Sequence, residues 1–229
     1  MIEKRDPFGL LQVKELHKSY RKAYDITVDL YYGKNVLLLG PLTNPRDVFP
    51  GIDVCVFVNW YPVYEEFFDS YKAKAVYASG RGLTEYHRAI SRREERLNKR
   101  LTKKELPQAV YSNITRAVAL ETKDAALFAF PHFHTKYYPN PEWHFVSKLF
   151  EEMQCSPLTG VIALEHILQA CPRTVRVSGW NLYNLHNKLA PQDVWNGPHN
   201  ITAHAAYLQK RSAEDRRIFF GPELRKVLA

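Results

Sequence analysis

The feature that most constrains this chain is residues 156–183, SPLTGVIALEHILQACPRTVRVSGWNLY. Apolar residues recur at helical spacing over 161–168 after a turn of small residues, and Pro172 ends the predicted helix. The β-branched residues of 174–178 favour a short strand that ends at Gly179. A small-residue turn, a helix and a strand with a glycine exit form half of an α/β nucleotide-binding unit. We therefore expect the remaining elements to build the same kind of sheet.

The start of this helix and the exit of this strand are candidate ligand-binding positions. The first turn of a helix has backbone N–H groups without intrahelical acceptors and carries the positive end of the helix dipole. Thr159 and Gly160 are therefore predicted to contact a phosphate, although a tight helix entry without a ligand would need the same two residue types. In open α/β sheets the ligand lies beyond the strand exits, which adds Gly179 to the set.

Strands and helices alternate along the rest of the chain. Continuous apolar runs at 34–39, 53–59 and 73–77 are typical of buried parallel strands. The other patterns predict an alternating strand or sheet-edge segment at 25–32, an ambiguous segment at 111–119, a strand at 125–130, an aromatic and proline-rich loop at 131–143, and helices at 10–24, 82–104, 143–153 and 200–210. This alternation predicts an α/β fold, a single Rossmann-like layer sandwich with a mostly parallel sheet.

Composition indicates the number of domains and the cellular compartment that we expect for the chain. Its 229 residues suit a single domain over 1–229, and 45% hydrophobic with 24% charged residues is ordinary for a soluble protein. No apolar run approaches the roughly 20 residues that span a bilayer, and the N-terminal residues lack the apolar region of a signal peptide. Three cysteines at irregular spacing suggest reduced thiols, so we expect a cytoplasmic protein. Whether the chain is a piece of a longer protein stays open.

The net charge of +8 is concentrated in a basic helical segment at residues 88–104. Such a segment is commonly a solvated helix face. The alternative is an approach surface for an anionic donor, an anionic glycan or a membrane surface that the protein contacts peripherally. Nucleic acid is not expected as a partner, because aromatic residues are not interleaved with the basic ones as a stacking platform requires.

Small, hydroxyl or amide residues follow three of the predicted strands. They are Gly40, Thr43 and Asn44 after the first strand, Asn59 after the second, and Ser79 after the third. Parallel strands end at a shared edge, where these groups could bind a base, a ribose or a phosphate. Each alone would simply end its strand, since such residues favour turns. The chain has neither G-x-G-x-x-G nor G-x-x-x-x-G-K-[ST], which argues against a dehydrogenase or a phosphate-hydrolysing enzyme.

These residues resemble two signatures of the sialyltransferases that use CMP-activated sugars, of both the animal and the small bacterial type. The first signature is an apolar strand, a glycine-containing loop and a second strand ending in Asn, matched by residues 36–44 and 54–59. The second is a Ser/Thr-Gly turn, a helix and a strand ending in glycine and an aromatic residue, matched from Thr159 to Trp180. Bacterial transferases that use CMP-Kdo have a similar architecture.

A third signature of that family is a histidine that opens a helix, with an acid five residues on and a leucine nine residues on. His199 and Leu208 match it, but His204 stands at the acid position, which leaves open what orients His199. In the animal type a second histidine precedes this signature, and His186 sits suitably for it. The first loop also departs from the family, because Pro41 replaces the asparagine that usually follows the glycine.

The resemblance, which spans about residues 34–208, implies an inverting glycosyltransferase that needs no metal or other cofactor. It would move a 2-keto sugar acid, sialic acid or Kdo, from its CMP donor to a hydroxyl of a glycan or glycolipid acceptor. His199 would act as general base, since an imidazole pKa of about 6.5 suits that task. His186 or Tyr183 would stabilise the leaving CMP phosphate. The implied donor-binding residues are Gly40, Thr43, Asn44, Asn59, Ser79, Thr159, Gly160 and Gly179.

Competing interpretations remain for several of these residues. A single loop histidine is more often structural than catalytic, and Tyr183 could simply pack on the sheet edge. His132 and His134 form an H-x-H pair that zinc could use, but no third ligand lies at a clear spacing, and the aromatic loop around them is also a candidate acceptor lip. Cys155 is expected to be a buried thiol. A different functional class is a non-catalytic α/β domain that binds an anionic glycan or lipid through the basic helix.

Overall fold

The computed structural model describes residues 28–40, 42–43, 49–59, 75–78, 80–102, 109–112, 136–139, 143–155, 157–180, 182 and 200–228. The strands within these ranges are β1 (Asn35–Leu39), β2 (Val54–Val58), β3 (Ala75–Ala78), β4 (Ala109–Ser112), β5 (Lys136–Pro139), β6 (Thr174–Ser178) and β7 (Ile218–Phe220). The helices are α1 (Gly80–Leu97), α2 (Trp143–Met153), α3 (Thr159–Gln169), α4 (Ile201–Glu214) and α5 (Pro222–Leu228).

The strands form one 7-stranded sheet in the order β5-β4-β3-β2-β1-β6-β7. Every neighbouring pair is parallel. This confirms the predicted α/β fold with a Rossmann-like layer. The chain adds β1 to β5 in one direction and then returns to place β6 on the other side of β1. The order of strands therefore reverses between β1 and β6, and their carboxyl ends flank the switch point of the sheet.

The inner strands are buried on both faces, which explains their continuous apolar runs. Every residue of β2 and β3 is buried, and β1 is partly exposed at Asn35 alone. Phe57 and Leu37, on neighbouring strands, have no exposed surface at all. Burying a side chain of this size stabilises a fold by roughly 1.5–3 kcal/mol, so these strands supply much of the driving force for the sheet.

Helix α3 is buried over nearly its whole length, from Gly160 to Leu168. A charged residue, Glu165, lies inside this stretch and needs a partner because burying an unpaired charge is costly. Arg211 of α4 supplies it with two parallel hydrogen bonds, Nε to Oε1 at 2.7 Å and Nη2 to Oε2 at 3.1 Å. Two-point pairing fixes direction as well as distance, so it attaches α4 to α3 in one orientation.

The structure corrects three predictions about individual segments. Residues 28–31 are helical rather than extended, and the adjacent Leu30 and Tyr31 are both buried, which a strand with one solvated face does not allow. The predicted loop at 131–143 contains β5, which pairs in parallel with β4 and ends the sheet. Helix α1 covers 80–97 rather than 82–104. Beyond the last predicted element, the C-terminal tail forms β7 and α5. The elements predicted at 10–24 and 125–130 lie outside the described residues.

The segments that follow β1 and β6 are hydrogen-bonded to each other. The Gly40 N–H donates to the Ser178 carbonyl at 2.8 Å, and the Leu42 N–H donates to the Gly179 carbonyl at 3.0 Å. Gly179 has a left-handed φ of +71°, and a Cβ at this position would overlap the backbone and the hydroxyl of Thr43. Only glycine satisfies both conditions, so Gly179 permits the close approach of the two exits.

Replacing Gly179 should therefore cost more stability than its φ alone explains. Gly33 provides a matched control, because its φ is +65° and nothing lies within 4 Å of a Cβ placed there. Gly33→Ala should lower the free energy of unfolding by about 1–2 kcal/mol, the strain of a left-handed residue. Gly179→Ala should lower it by about 3 kcal/mol or more, because the collision with Thr43 adds to that strain. Urea unfolding measures both changes, and equal losses would contradict the close approach.

Candidate functional site

The switch point between β1 and β6 is the candidate site, because ligands of open α/β sheets bind beyond the strand ends where the order reverses. In the register of the sheet, Leu39 lies opposite both Phe57 and Ser178. Gly40, Asn59 and Gly179 directly follow the strands that contain those residues. The structure thus brings these three predicted positions to one edge.

Trp180 fills the space between the two glycine exits and helix α3. A Cβ on Gly160 would lie 2.6 Å from Cζ2 and Cη2 of the indole. A Cβ on Gly40 would lie 2.8 Å from its Nε1 and 2.7 Å from the Gly179 carbonyl oxygen. The nitrogen-bearing edge of the ring therefore runs from Gly40 to Gly160, and side chains at either position would displace it. The ring is 7% exposed.

The N-terminus of α3 keeps its backbone donors available. The first intrahelical bond runs from the Ile162 N–H to the Leu158 carbonyl at 3.1 Å, so the amides of Thr159, Gly160 and Val161 precede every intrahelical acceptor. The N-cap residue, Leu158, makes no side-chain capping bond, and the first turn contains no acidic residue. The positive end of the helix dipole is therefore not neutralised by the helix's own side chains.

His204 of α4 connects the backbone at the start of α3 to the backbone at the start of α4. Its Nδ1 lies 2.6 Å from the Asn200 carbonyl oxygen, and its Nε2 lies 2.9 Å from the Leu158 N–H. A carbonyl only accepts and an amide only donates, so Nδ1 carries the proton and Nε2 accepts. The ring is fully buried. Because both nitrogens are engaged in this link, His204 holds the backbone of two helices together.

Thr43 and Asn59 have different surroundings at the edge. The Thr43 hydroxyl donates to the Gly40 carbonyl at 2.9 Å and also lies 3.2 Å from the Ser178 carbonyl, so its proton is engaged in holding the loop. We therefore assign Thr43 to the support of the site. Asn59 has a left-handed φ of 57°, and its N–H donates to the Tyr77 carbonyl at 2.6 Å. Asparagine tolerates this conformation better than most residues, and the backbone bond fixes where its side chain begins.

Five of the predicted site residues lie outside the described residues. They are Asn44, Ser79, Tyr183, His186 and His199. The described residue that follows position 199 is Asn200, the N-cap of α4, whose side chain accepts from the Ala203 N–H at 3.0 Å. Through the His204 link, the backbone at Asn200 is tied to the entrance of α3.

Cys155 lies beside His204, and the geometry of this pair argues against His204 as a base for the thiol. Its Sγ is 3.9 Å from Nδ1 of His204. That nitrogen carries a proton donated to Asn200, so it has no lone pair with which to take the thiol proton. Cys155 is buried, as predicted, and acts as part of the packing around α3.

A second histidine, His166 of α3, belongs to a buried network of hydrogen bonds. Its Nδ1 lies 2.9 Å from the Tyr77 hydroxyl, which donates in turn to the Tyr31 hydroxyl at 3.5 Å. The rings of Tyr77 and His166 meet edge to face, with centroids 5.7 Å apart. Burial lowers the pKa of His166 from 6.5 to about 4, because the charged imidazolium would lose its hydration.

The lowered pKa of His166 makes stability depend on pH. Between about pH 6.5 and pH 4 the unfolded chain binds a proton at this histidine and the folded protein does not, so the free energy of unfolding falls as the pH falls through this window. From pH 7.5 to pH 5.0 the loss should be on the order of 2 kcal/mol. Urea titrations of the wild type and His166→Gln measure it, and the variant should lack this part of the loss. An identical pH dependence in both proteins would contradict the assignment.

The basic helix α1 has a cationic exposed face. Arg88, Arg92 and Arg96 are exposed and follow one another at intervals of four residues, so they share one side of the helix. Lys99 and Arg100 extend the exposed cationic region past the helix end. Glu94 partly offsets it, pairing with Arg100 at 3.0 Å.

The described residues contain neither a metal-binding cluster nor a membrane-spanning helix. Among the described residues there is no group of three or more His, Cys, Asp or Glu that could hold a metal ion, and His132 and His134 lie outside that part of the chain. No helix that the structure describes is both long and apolar enough to cross a bilayer.

Sequence reasoning underestimated two residues of the site. Trp180 was noted as the aromatic residue after a strand-ending glycine, without its contacts to Gly40 and Gly160. The structural link made by His204 was missed, although its place four residues after the N-cap Asn200 is a spacing at which a side chain can reach back to a backbone carbonyl.

Comparison with protein-family models, with curated proteins and with solved structures finds no match for this chain. Its fold defines an α/β protein with a Rossmann-like parallel sheet, and its function has to be argued from the switch point itself.

Proposed function

We propose that this protein is an inverting, metal-independent glycosyltransferase that moves a 2-keto sugar acid from its CMP donor to a hydroxyl of a glycan or glycolipid. The observation that carries the proposal is the position of the α3 N-terminus at the switch point of the sheet. The amides of Thr159, Gly160 and Val161 have no intrahelical acceptor, and no acidic side chain stands in the first turn. An anion such as the CMP phosphate suits such a helix start.

The neighbouring positions suit the remainder of a nucleotide. Asn59 follows β2 at the same edge, and its amide can both donate to and accept from a pyrimidine base or a ribose. Gly40 and Gly179 are retained as donor-binding candidates on their places at the strand exits, where the absence of side chains lets Trp180 and Thr43 pack against them, and Thr43 keeps the first loop in place. Asn44 and Ser79 are retained as donor-binding candidates on their sequence positions alone.

The reaction requires a base and a stabilised leaving group. A general base removes the proton of the acceptor hydroxyl as its oxygen attacks the anomeric carbon, and the bond from that carbon to the CMP phosphate breaks with its electron pair going to the phosphate. We assign the base to His199 and the leaving-group contact to His186 or Tyr183, following the family resemblance. The α3 amides would stabilise the departing phosphate because its charge grows as the bond breaks. The His204 link suggests that a group other than His204 orients His199, since both its ring nitrogens are engaged.

The exposed arginines of α1 support a second candidate function of another class. Arg88, Arg92 and Arg96 are exposed and place positive charges on one helix face. In the transferase, which we propose to be cytoplasmic, this face would contact a membrane surface that carries a glycolipid acceptor. In the alternative, the chain is a non-catalytic domain and this face alone binds an anionic glycan or lipid.

Donor chemistry is tested by incubating the protein with CMP-sialic acid and with CMP-Kdo, in EDTA, and measuring free CMP. One of the two donors should release CMP faster in the presence of protein. His199→Ala should slow the release by about 10²–10⁴-fold, the usual contribution of a general base, while CMP still raises the melting temperature of the variant. His87→Ala is the matched histidine control and should keep full activity.

The same experiment separates the two functional classes. No release from either donor, together with a melting temperature that CMP leaves unchanged, would reject the transferase. Binding of anionic glycan or lipid vesicles that is indifferent to CMP and lost on replacing Arg88, Arg92 and Arg96 by Gln would then favour the binding domain.

A further inference from the structure

One face of the sheet is exposed at its β6–β7 end. β6 pairs with β1 on one side and with β7 on the other, yet unlike β2 and β3 it is not buried on both faces. Val175 and Val177 belong to the core, whereas Arg176 between them is exposed. Phe219 of β7 lies opposite Arg176 in the register and is 50% exposed. We call this exposed pair, Arg176 and Phe219, the open strip.

The open strip continues a face of the sheet that is covered elsewhere. Leu37 of β1 lies opposite Arg176 on its other side, and Leu37 is completely buried. Because side chains at paired positions of neighbouring strands share a face, Leu37, Arg176 and Phe219 lie side by side. The cover over this face therefore ends between β1 and β6. Parallel sheets are normally covered on both faces, so an exposed residue in the middle of β6 is unusual.

The described helices at this end of the sheet pack on the opposite face. α3 and α5 contact β6, and α4 contacts β7. Leu164, Leu208 and Leu224 of these helices share one core cluster with Val175 and Val177. The open strip is two strands wide, which is about 10 Å at ~4.8 Å between strands. A single helix is about 10–12 Å in diameter with its side chains, so one helix fits the width of the strip.

The arginine of the open strip carries a charge that its surroundings do not balance. Within the described part of the chain, the guanidinium of Arg176 has neither an ion pair nor a hydrogen bond. Arg217 and Asp215, at the start of β7, pair with each other at 2.7 Å. The carboxylate of Glu223 lies near Gly221 beyond the end of β7 and does not pair with Arg176. A carboxylate brought to the strip would therefore meet an available positive charge beside an apolar ring.

We propose that the open strip is the docking site for one acidic amphipathic helix of a partner protein. The apolar side of that helix packs on Phe219, and one of its carboxylates pairs with Arg176. Arg173 and Arg216, which precede β6 and β7 and are exposed, add positive charge at the amino ends of the same two strands. Arginine and aromatic residues are enriched at protein interfaces, as this pairing requires. The inference goes beyond the proposed function and does not depend on it.

Two other occupants fit the charge of the strip less well. A second copy packed by a two-fold axis would bring Arg176 close to its own equivalent, in a protein of net charge +8. The helix predicted at 10–24 has one acidic residue, Glu15, against four basic ones, Lys14, Lys18, Arg21 and Lys22. Like charges across an interface are unfavourable, which favours an acidic helix from another protein.

The test uses the whole chain and a synthetic helical probe. The probe is a fluorescein-labelled, hydrocarbon-stapled peptide with leucine along one face and glutamate beside it, repeated so that every turn offers the same groups. Fluorescence anisotropy should show saturable binding to the wild type. A peptide with lysine in place of glutamate should bind at least about tenfold more weakly, because its charges oppose Arg176. No saturable binding of the glutamate peptide, or equal binding of both peptides, would overturn the proposal.

Substitutions with matched controls show whether the probe binds at the strip. Arg176→Glu should weaken binding of the glutamate peptide by about tenfold or more, and Phe219→Ser by about fivefold or more, because these side chains make the proposed contacts. The controls are Phe150→Ser, at a phenylalanine that is 52% exposed on α2, and Arg225→Glu, at an exposed arginine on α5. Both controls should keep the wild-type affinity. Equal losses in the controls and in the strip variants would overturn the location.

A photo-crosslinking residue at the strip distinguishes the possible occupants. The chain with p-benzoylphenylalanine in place of Phe219 is irradiated with and without the glutamate peptide, and the products are mapped by mass spectrometry. A crosslink to the peptide, and none within or between chains in its absence, supports the proposal. A crosslink to residues 1–27, or to a second copy, would assign the strip to that occupant and overturn the docking of a partner helix.

Discussion

The contact between the exits of β1 and β6 is the constraint on which the candidate site depends. Gly179 is the point of closest approach, because Thr43 occupies the space in which any side chain at that position would stand. This contact lets the β1 loop bond directly to the end of β6, through Gly40 and Leu42. The ring of Trp180 packs against Gly40 on one side and against Gly160 on the other. A larger residue at any of the three glycines would separate the strand exits from the helix start.

The other face of the same helix start is held by polar contacts. His204 joins the Leu158 amide to the Asn200 carbonyl, and Glu165 pairs with Arg211 farther along the two helices. These contacts differ in kind, since the first fixes backbone to backbone through a neutral ring and the second pairs opposite charges. Together they hold α3 and α4 in one relative position. The chain thereby keeps the first turn of α3 at the sheet edge without using that turn's own amides.

The sequence allowed the parallel sheet to be predicted because the inner strands are buried on both faces and appear as continuous apolar runs. Elements that depend on pairing rather than burial were not predicted. β5 lies at the sheet edge in an aromatic segment that ends in Pro139, and β7 has only three residues, so neither has a readable period. The pattern at 25–32 failed because Leu30 and Tyr31 are neighbours that are both buried. Helix α3 was predicted closely, because its apolar spacing and its terminating Pro172 are local signals.

Only the local features of the candidate site could be predicted from the sequence. The glycine exits and the start of α3 are local features, so Gly40, Gly160 and Gly179 could be named from sequence. The part played by Trp180 depends on contacts with residues that are distant along the chain, and no local pattern indicates them. The structural role of His204 also depends on a residue that is distant along the chain, because the Leu158 N–H that donates to it lies 46 residues away.

The central claim is that the start of α3 receives a nucleotide phosphate, and it is tested most directly by the amide resonances of Thr159, Gly160 and Val161. A ¹H–¹⁵N correlation spectrum recorded during a metal-free titration with CMP follows these amides individually. The account predicts that their proton shifts move downfield and saturate together, as they do when N–H groups donate to an anion. Resonances that stay in place at a CMP concentration at which the rest of the spectrum has saturated would contradict it.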